Sequence, residues 1–147
     1  MDLVRLTTDD KEQIKLLYKS VFMNEPWNDD WSDDKQLDEY ILDIIGNRNS
    51  LSLGLIEDGQ FVGMALGSVK HWYSGTEYYI EELFVKTELQ GNGIGSEFIE
   101  LIEQYLRDIG IHRIFLQTDN DMPAYSFYKK RGFCELNGHV SFIKENL

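Results

Sequence analysis

The stretch that most constrains how this chain can fold runs from Tyr78 to Gly95, YYIEELFVKTELQGNGIG. Tyr78-Tyr79-Ile80 and Leu83-Phe84-Val85 carry the aromatic and β-branched residues that suit a pleated, buried strand. Gln90-Gly91-Asn92-Gly93-Ile94-Gly95 then sets three glycines where a helix should open. A helix start leaves backbone N–H groups unpaired and carries the positive end of the helix dipole. Glycines let an anion approach those groups closely. The expectation is a phosphate or pyrophosphate cradle at Gln90, Gly91, Asn92, Gly93, Ile94, Gly95 and Ser96. A P-loop is excluded, because Gly95 is followed by Ser96-Glu97 and not by a Lys-Ser or Lys-Thr pair. The dinucleotide fingerprint is excluded too, because the glycines alternate as G-x-G-x-G.

The pattern that fits is Gln-x-x-Gly-x-Gly, from Gln90, Gly93 and Gly95, after a strand ending Leu83-x-Val85. Further along comes Asn120-Asp121-Met122-Pro123-Ala124-Tyr125-Ser126-Phe127-Tyr128, closing on Gly132-Phe133. On these motifs, which cover most of its C-terminal half, the chain resembles the GNAT superfamily of N-acetyltransferases. The resemblance implies acetyl-CoA as cofactor, with its pyrophosphate on the glycine loop. It implies pantetheine pairing along Leu83, Phe84 and Val85, and contacts from Asn120, Ala124 and Tyr128. It also implies a single domain over 1–147, an α/β (α+β) GNAT fold. That fold has a mixed, mostly antiparallel sheet of about six to seven strands, flanked by four helices.

The chain has 147 residues, 42% of them hydrophobic, enough to bury a real core. Its one cysteine, Cys134, excludes an internal disulfide and suits a reducing compartment. Cys134 is expected in a strand as a buried structural thiol. No basic-then-apolar leader opens the sequence. No apolar run approaches the about 20 residues of a membrane span. A cytoplasmic chain without a membrane partner is expected. The net charge of −12 argues against nucleic acid and is compatible with a cationic substrate.

Taken in order, the sequence predicts β-α-α-β-β-β-α-β-α-β-β. Leu3–Leu6 reads as a strand. Asp9 and Glu12 suggest a capping box, ahead of a helical stripe of Ile14, Leu17, Tyr18, Val21 and Phe22. Ser32 is the expected cap of the second helix, with Leu37, Tyr40, Ile41, Ile44 and Ile45 on its buried face. Asp58-Gly59 predicts a hairpin turn between Leu51–Glu57 and Gln60–Tyr73, with Gly63 and Gly67 as bulge or close-packing sites. A third helix is expected from Gly93 to Ile109, burying Ile94, Phe98, Leu101, Ile102, Tyr105 and Ile109. A strand over Arg113–Thr118 and a short helix from Pro123 to Arg131 follow. A last hairpin is expected around Asn137-Gly138, from Phe133–Leu136 and Val140–Lys144.

From Asn24 to Asp43 there are eight acidic residues and one lysine. Two readings are open for this segment: a solvated helix start with two core aromatics, or an acceptor-site wall. In the second, Trp27 and Trp31 supply apolar surface while Asp29 and Asp30 supply negative charge. The resemblance favours the wall, since the family builds its acceptor pocket from this loop.

Acetyl transfer to an amine needs a neutral nucleophile, an oxyanion donor and a proton for the leaving group. The resemblance implies Tyr128 as the acid, and a phenol of pKa about 10 is protonated at neutral pH. The other reading of Tyr128 is one more aromatic on a short helix. For the base, Glu81 and Glu82 compete on the central strand. Neighbours on a strand face opposite ways, so one of them faces the cleft unless a bulge intervenes. Strict alternation puts Glu82 with Ile80 and Phe84. A buried carboxylate on an apolar strand is costly and gains proton affinity, which marks a site candidate. The family's aminoglycoside-modifying members favour Glu82, with Glu81 left to the acceptor side. The resemblance implies a backbone N–H near Phe84 or Val85 as the oxyanion donor. Asn120 reads equally as a helix cap. His71 could face the acceptor, although an edge role is the plainer reading. No spacing suggests a metal site.

The function expected is therefore acetyl transfer from acetyl-CoA to a primary amine of a small cationic molecule, aminoglycoside-like or a polyamine. The alternatives are a protein N-terminal or lysine acetyltransferase, and a non-catalytic acyl-CoA-binding module. A homodimer is compatible with the resemblance.

Overall fold

The computed structural model describes residues 1–147. Two compact parts divide it, Met1–Gln117 and Thr118–Leu147.

The first part is a five-stranded sheet covered on both faces. Strands β1 (Asp2–Leu6), β2 (Ser52–Glu57), β3 (Gln60–Trp72) and β4 (Gly75–Val85) are antiparallel neighbours in that order. Strand β5 (Ile114–Leu116) joins β4 in parallel. One face packs on α1 (Lys11–Phe22) and α2 (Asp34–Ile45), with Met64, Leu66 and Phe84 meeting Ile14, Tyr18, Phe22, Leu37 and Ile41. The other packs on α3 (Ile94–Asp108), with Leu53, Leu55, Ala65, Tyr78 and Ile80 meeting Phe98, Ile102 and Leu106. Met64, Ala65 and Leu66 thus alternate faces, as a pleated strand requires. Each fully buried Leu, Ile, Phe or Met side chain among these stabilises the fold by about 1.5–3 kcal/mol.

The expected helix stripes form with small changes of frame. The α1 stripe is buried as read, with Lys15 added at its margin. In α3 the buried set is Phe98, Ile99, Ile102 and Leu106, while Ile109 lies outside the helix and half-exposed. The caps shift by a residue or more. Thr7 and Asp10 form the capping box around a short 3-10 turn before α1, in place of Asp9 and Glu12. Asp33, not Ser32, caps α2 by accepting from the Gln36 N–H. Ser32 instead donates its own N–H to Asp30.

Two β-bulges bend the sheet. In β3 the pairing passes from Leu55↔Gly63 to Ile56↔Phe61, which leaves Val62 extra. In β4 it passes from Leu66↔Glu82 to Gly67↔Ile80, which leaves Glu81 extra. The second bulge places the candidate site.

The second part holds α4 (Pro123–Lys130), with Pro123 in its first turn. The Tyr128 ring lies 5.3 Å from Phe127 and 5.2 Å from Phe133, both edge-on. Tyr125 donates its hydroxyl to Glu135 at 2.7 Å. The expected last hairpin is absent, so the sheet has five strands and not six to seven. A two-stranded hairpin is marginal in water unless one of its faces is buried. Here Val140, Phe142 and Ile143 are 78%, 94% and 84% exposed, so no burial supports it. Cys134, expected in that hairpin as a buried thiol, is exposed and outside any strand.

Candidate functional site

The bulge at Glu81 sets which way the two carboxylates face. Before it, Tyr78 and Ile80 face α3. After it, Leu83 and Val85 face α3 while Phe84 faces α1 and α2. Glu82 has therefore left the face of Ile80, against the reading from strict alternation. It points at the helices with Phe84. Glu81 is the extra residue, and the extra residue turns both carboxylates to the helix side. Consistent with this, the proton affinity of Glu81 is raised by partial burial and then by the charge of Asp43 on α2.

Glu82 ends among aromatic rings. Tyr40 donates its hydroxyl to Glu82 Oε1 at 2.6 Å, and Tyr18 donates to the same oxygen at 3.3 Å. Burial raises the Glu82 carboxyl above the ordinary range. The hydrogen bonds from Tyr40 and Tyr18 oppose that rise, and the negative charges of Asp29 and Glu81 add to it. Burial and the Glu82 charge in turn push both phenols well up, so both stay protonated.

Sequence reasoning missed these two tyrosines, reading them as members of apolar stripes. A signal was available. A buried Tyr hydroxyl needs a partner, and so does a carboxylate on a buried strand. Pairing those needs would have named Tyr18, Tyr40 and Glu82 together.

The aromatic group continues into the loop between α1 and α2. Trp31 stacks on Tyr40 with ring centres 5.3 Å apart and meets Tyr18 edge-on at 5.7 Å. Its indole Nε1 is a buried donor with no protein partner. Trp27 meets Phe22 at 5.0 Å. Both tryptophans are partly buried at the margin of the helix-side core. Asp29 is exposed, and its charge reaches Glu82 and Tyr18. Asp30 turns instead to Ser32. His71 is exposed and pairs with Thr76 near the tip of the β3–β4 hairpin. It is five residues along β3 from Leu66, the partner of Glu82, or roughly 16 Å at strand rise. The structure does not bring His71 to the carboxylate.

The glycine loop leads from the end of β4 into α3. Gln90 donates its side-chain amide to the Val85 carbonyl at 3.0 Å, folding the loop back on the strand. Gly91 and Gly93 have φ of 80° and 81°, where any side chain would be strained. Gly93 caps α3 without a side-chain hydrogen bond, so the first-turn N–H groups at Ile94, Gly95 and Ser96 have no side-chain acceptor. A Cβ placed on Gly91 or Gly93 would meet nothing within 4 Å. Free donors, a positive dipole end and open space suit a pyrophosphate. Beside the loop, β5 pairs with β4 only at Tyr78–Ile80. The edge of β4 from Glu81 to Val85 runs on past it.

Asn120, Ala124 and Tyr128 belong to the second part. Asn120 is exposed in the turn before α4. It does not cap that helix, since Met122 occupies the cap position. Ala124 and Tyr128 lie on one side of α4, four residues apart, and both are half-buried. No three His, Cys, Asp or Glu side chains converge as a metal site.

Residues 11–133 match the acetyltransferase (GNAT) family. Aminoglycoside N(6')-acetyltransferase type 1 of Stenotrophomonas maltophilia is 27% identical over 122 residues, 79% of this chain and 78% of the relative. Two solved structures share the fold. One is an aminoglycoside acetyltransferase from an uncultured soil metagenomic sample, in complex with sisomicin. It has a TM-score of 0.71 and 24% identity, over 98% of this chain and 96% of that one. The other is a predicted acetyltransferase with acetyl-CoA from Clostridium acetobutylicum. It has a TM-score of 0.73 and 19% identity, over 97% of this chain and 95% of that one.

Proposed function

The chain belongs to the acetyltransferase (GNAT) family, and from that premise we propose that it acetylates a primary amine on a small cationic acceptor, aminoglycoside-like or a polyamine. It is an acetyl-CoA-dependent N-acetyltransferase; the acceptor and the residue roles are the proposed part.

One observation carries the acceptor reading. A carboxylate whose proton affinity is raised by burial, Glu82, is held by a tyrosine that stacks on Trp31, and the charge of Asp29 reaches it. An ammonium group is drawn to negative charge and to aromatic faces alike. The relative named for an aminoglycoside supports the same class.

Bound acetyl-CoA supplies an acetyl thioester, which an amine attacks only when neutral. Glu82 takes the proton from the amine, directly or through a water. Burial tunes it toward that task, because a base works best with its pKa near the working pH. Tyr128 supplies a proton from its hydroxyl for the departing group. The N–H of Val85 is the oxyanion donor. N–H groups alternate in direction along a strand, and the Lys86 N–H donates to Val62 on the β3 side. Val85 therefore aims its N–H at the edge that continues past β5. The first-turn N–H groups of α3 hold the pyrophosphate.

A free-thiol release assay tests the proposal with acetyl-CoA and a panel of sisomicin, spermidine, a lysine peptide and a free peptide N-terminus. Turnover with the small cations, collapsing in Glu82→Gln and Tyr128→Phe, is the expected result. Turnover on peptides alone would overturn the acceptor class. Undiminished turnover in both variants would overturn the assigned roles.

A further inference from the structure

We propose that Tyr18 and Tyr40 are positioning residues that hold Glu82 by one oxygen, Oε1, so that its other oxygen, Oε2, receives the acceptor's proton. The inference rests on Glu82 as the proton acceptor and adds how that carboxylate is oriented and tuned.

Two phenols from two different helices converge on a single oxygen. Tyr40 of α2 reaches Oε1 at 2.6 Å and Tyr18 of α1 reaches it at 3.3 Å. A carboxylate has two oxygens with about four acceptor positions. Taking both donors on one oxygen pins the plane of the group and leaves Oε2 for the incoming proton. A carboxylate free to rotate would present either oxygen and lose that alignment.

The donors also offset a costly environment. The titratable groups around Glu82 are Tyr18 from α1, Tyr40 from α2, Asp29 from the loop between them, and Glu81 and Tyr79 on β4. The two that carry charge share its sign. Against burial and those charges, the phenol hydrogen bonds favour the ionised form. Without them Glu82 would be protonated over more of the pH range and idle as a base.

Tyr40 also belongs to the proposed acceptor wall, while Tyr18 packs against it from within the core. Tyr40 stacks on Trp31, and Tyr18 touches Trp31, Phe22 and Phe84. One side chain, Tyr40, therefore joins the acceptor-side aromatic surface to the carboxylate. Phenylalanine at either position keeps the ring and removes only the donor.

The test follows Glu82 directly in the ligand-free protein, by pH titration of 13C-labelled glutamate carboxyl groups. Glu82→Gln assigns the resonance. Tyr40→Phe and Tyr18→Phe are compared with Tyr78→Phe. Tyr78 donates its hydroxyl to the Leu51 and Ala65 carbonyls in the other core, so its loss reports general damage. In parallel, kcat is measured against pH with sisomicin and spermidine as probe acceptors. The Glu82 midpoint should move to higher pH in Tyr40→Phe, less so in Tyr18→Phe, and stay in place in Tyr78→Phe. The acid limb of kcat should follow it, lowering the rate at the wild-type midpoint about fivefold. The KM for acetyl-CoA should hold. An unmoved Glu82 midpoint in Tyr40→Phe overturns the proposal. A midpoint that moves while Glu82→Gln keeps wild-type kcat overturns the underlying reading of Glu82 as the base, leaving the hydrogen bonds as a structural tie.

Discussion

Gly67 on β3 lies so close to the Tyr79 carbonyl of β4 that a β-carbon at Gly67 would run into it. The approach occurs beside the bulge, where Gly67 pairs with Ile80 and Leu66 with Glu82. Gly67→Ala should therefore force the two strands apart at the point that turns Glu82 toward the helices. A loss of about 1–3 kcal/mol is expected, the usual cost of overpacking a tight site. Urea unfolding measures it. Activity should fall further than stability, because the bulge sets the face on which Glu82 emerges. An unchanged urea midpoint would mean that the bulge tolerates a side chain.

Glu82→Gln should abolish most activity and stabilise the fold at neutral pH. The folded-state carboxyl is raised above its unfolded value, chiefly by burial. The folded state therefore binds more protons than the unfolded state between those two values. Stability contributed by Glu82 is present below the unfolded value and is lost as pH rises through the folded one. The neutral amide escapes that loss. The gain in Tm over wild type should grow with pH from the acid range to neutral and vanish below the ordinary glutamate range. A variant less stable than wild type at pH 7 would contradict this.

Gly93→Ala should weaken acetyl-CoA binding while leaving the fold intact. Gly93 holds φ of 81° at the start of α3. A residue with a β-carbon pays about 1–2 kcal/mol in that region. Relief by twisting the loop would re-aim the first-turn N–H groups. A rise in Kd of roughly tenfold by calorimetry, the value of about 1.4 kcal/mol, is expected. Wild-type affinity would remove the pyrophosphate from this helix start.

Phe142→Ser should be nearly neutral. Phe142 is 94% exposed, so its truncation removes little buried surface. Substitutions of this kind fall within about 0.5 kcal/mol. Leu53→Ala, at a fully buried position of β2, should cost about 2–5 kcal/mol by contrast. A large loss in Phe142→Ser would restore the terminal hairpin that the sequence suggests.

Features set by local periodicity or local backbone chemistry were legible in the sequence. The stripes of α1 and α2, the Asp58-Gly59 turn, the glycine-rich opening of α3 and the placing of Pro123 all depend on residues close in the chain. The caps were harder by a residue or two, because neighbouring Asp, Ser and Thr compete for the same N–H groups.

What the sequence by itself determined is the class of chemistry. Three glycines after a buried strand leave helix N–H groups open to an anion, wherever the rest of the chain lies. Only the tertiary structure decided what meets Glu82. Strand alternation is exact until a bulge breaks it, and the bulge at Glu81 is a matter of register with β3, not of local sequence. Tyr18, Tyr40 and Glu82 are far apart in the chain and belong to three elements. Burial of two helices on one sheet face brings them together, and their unmet hydrogen bonds then have only each other to satisfy.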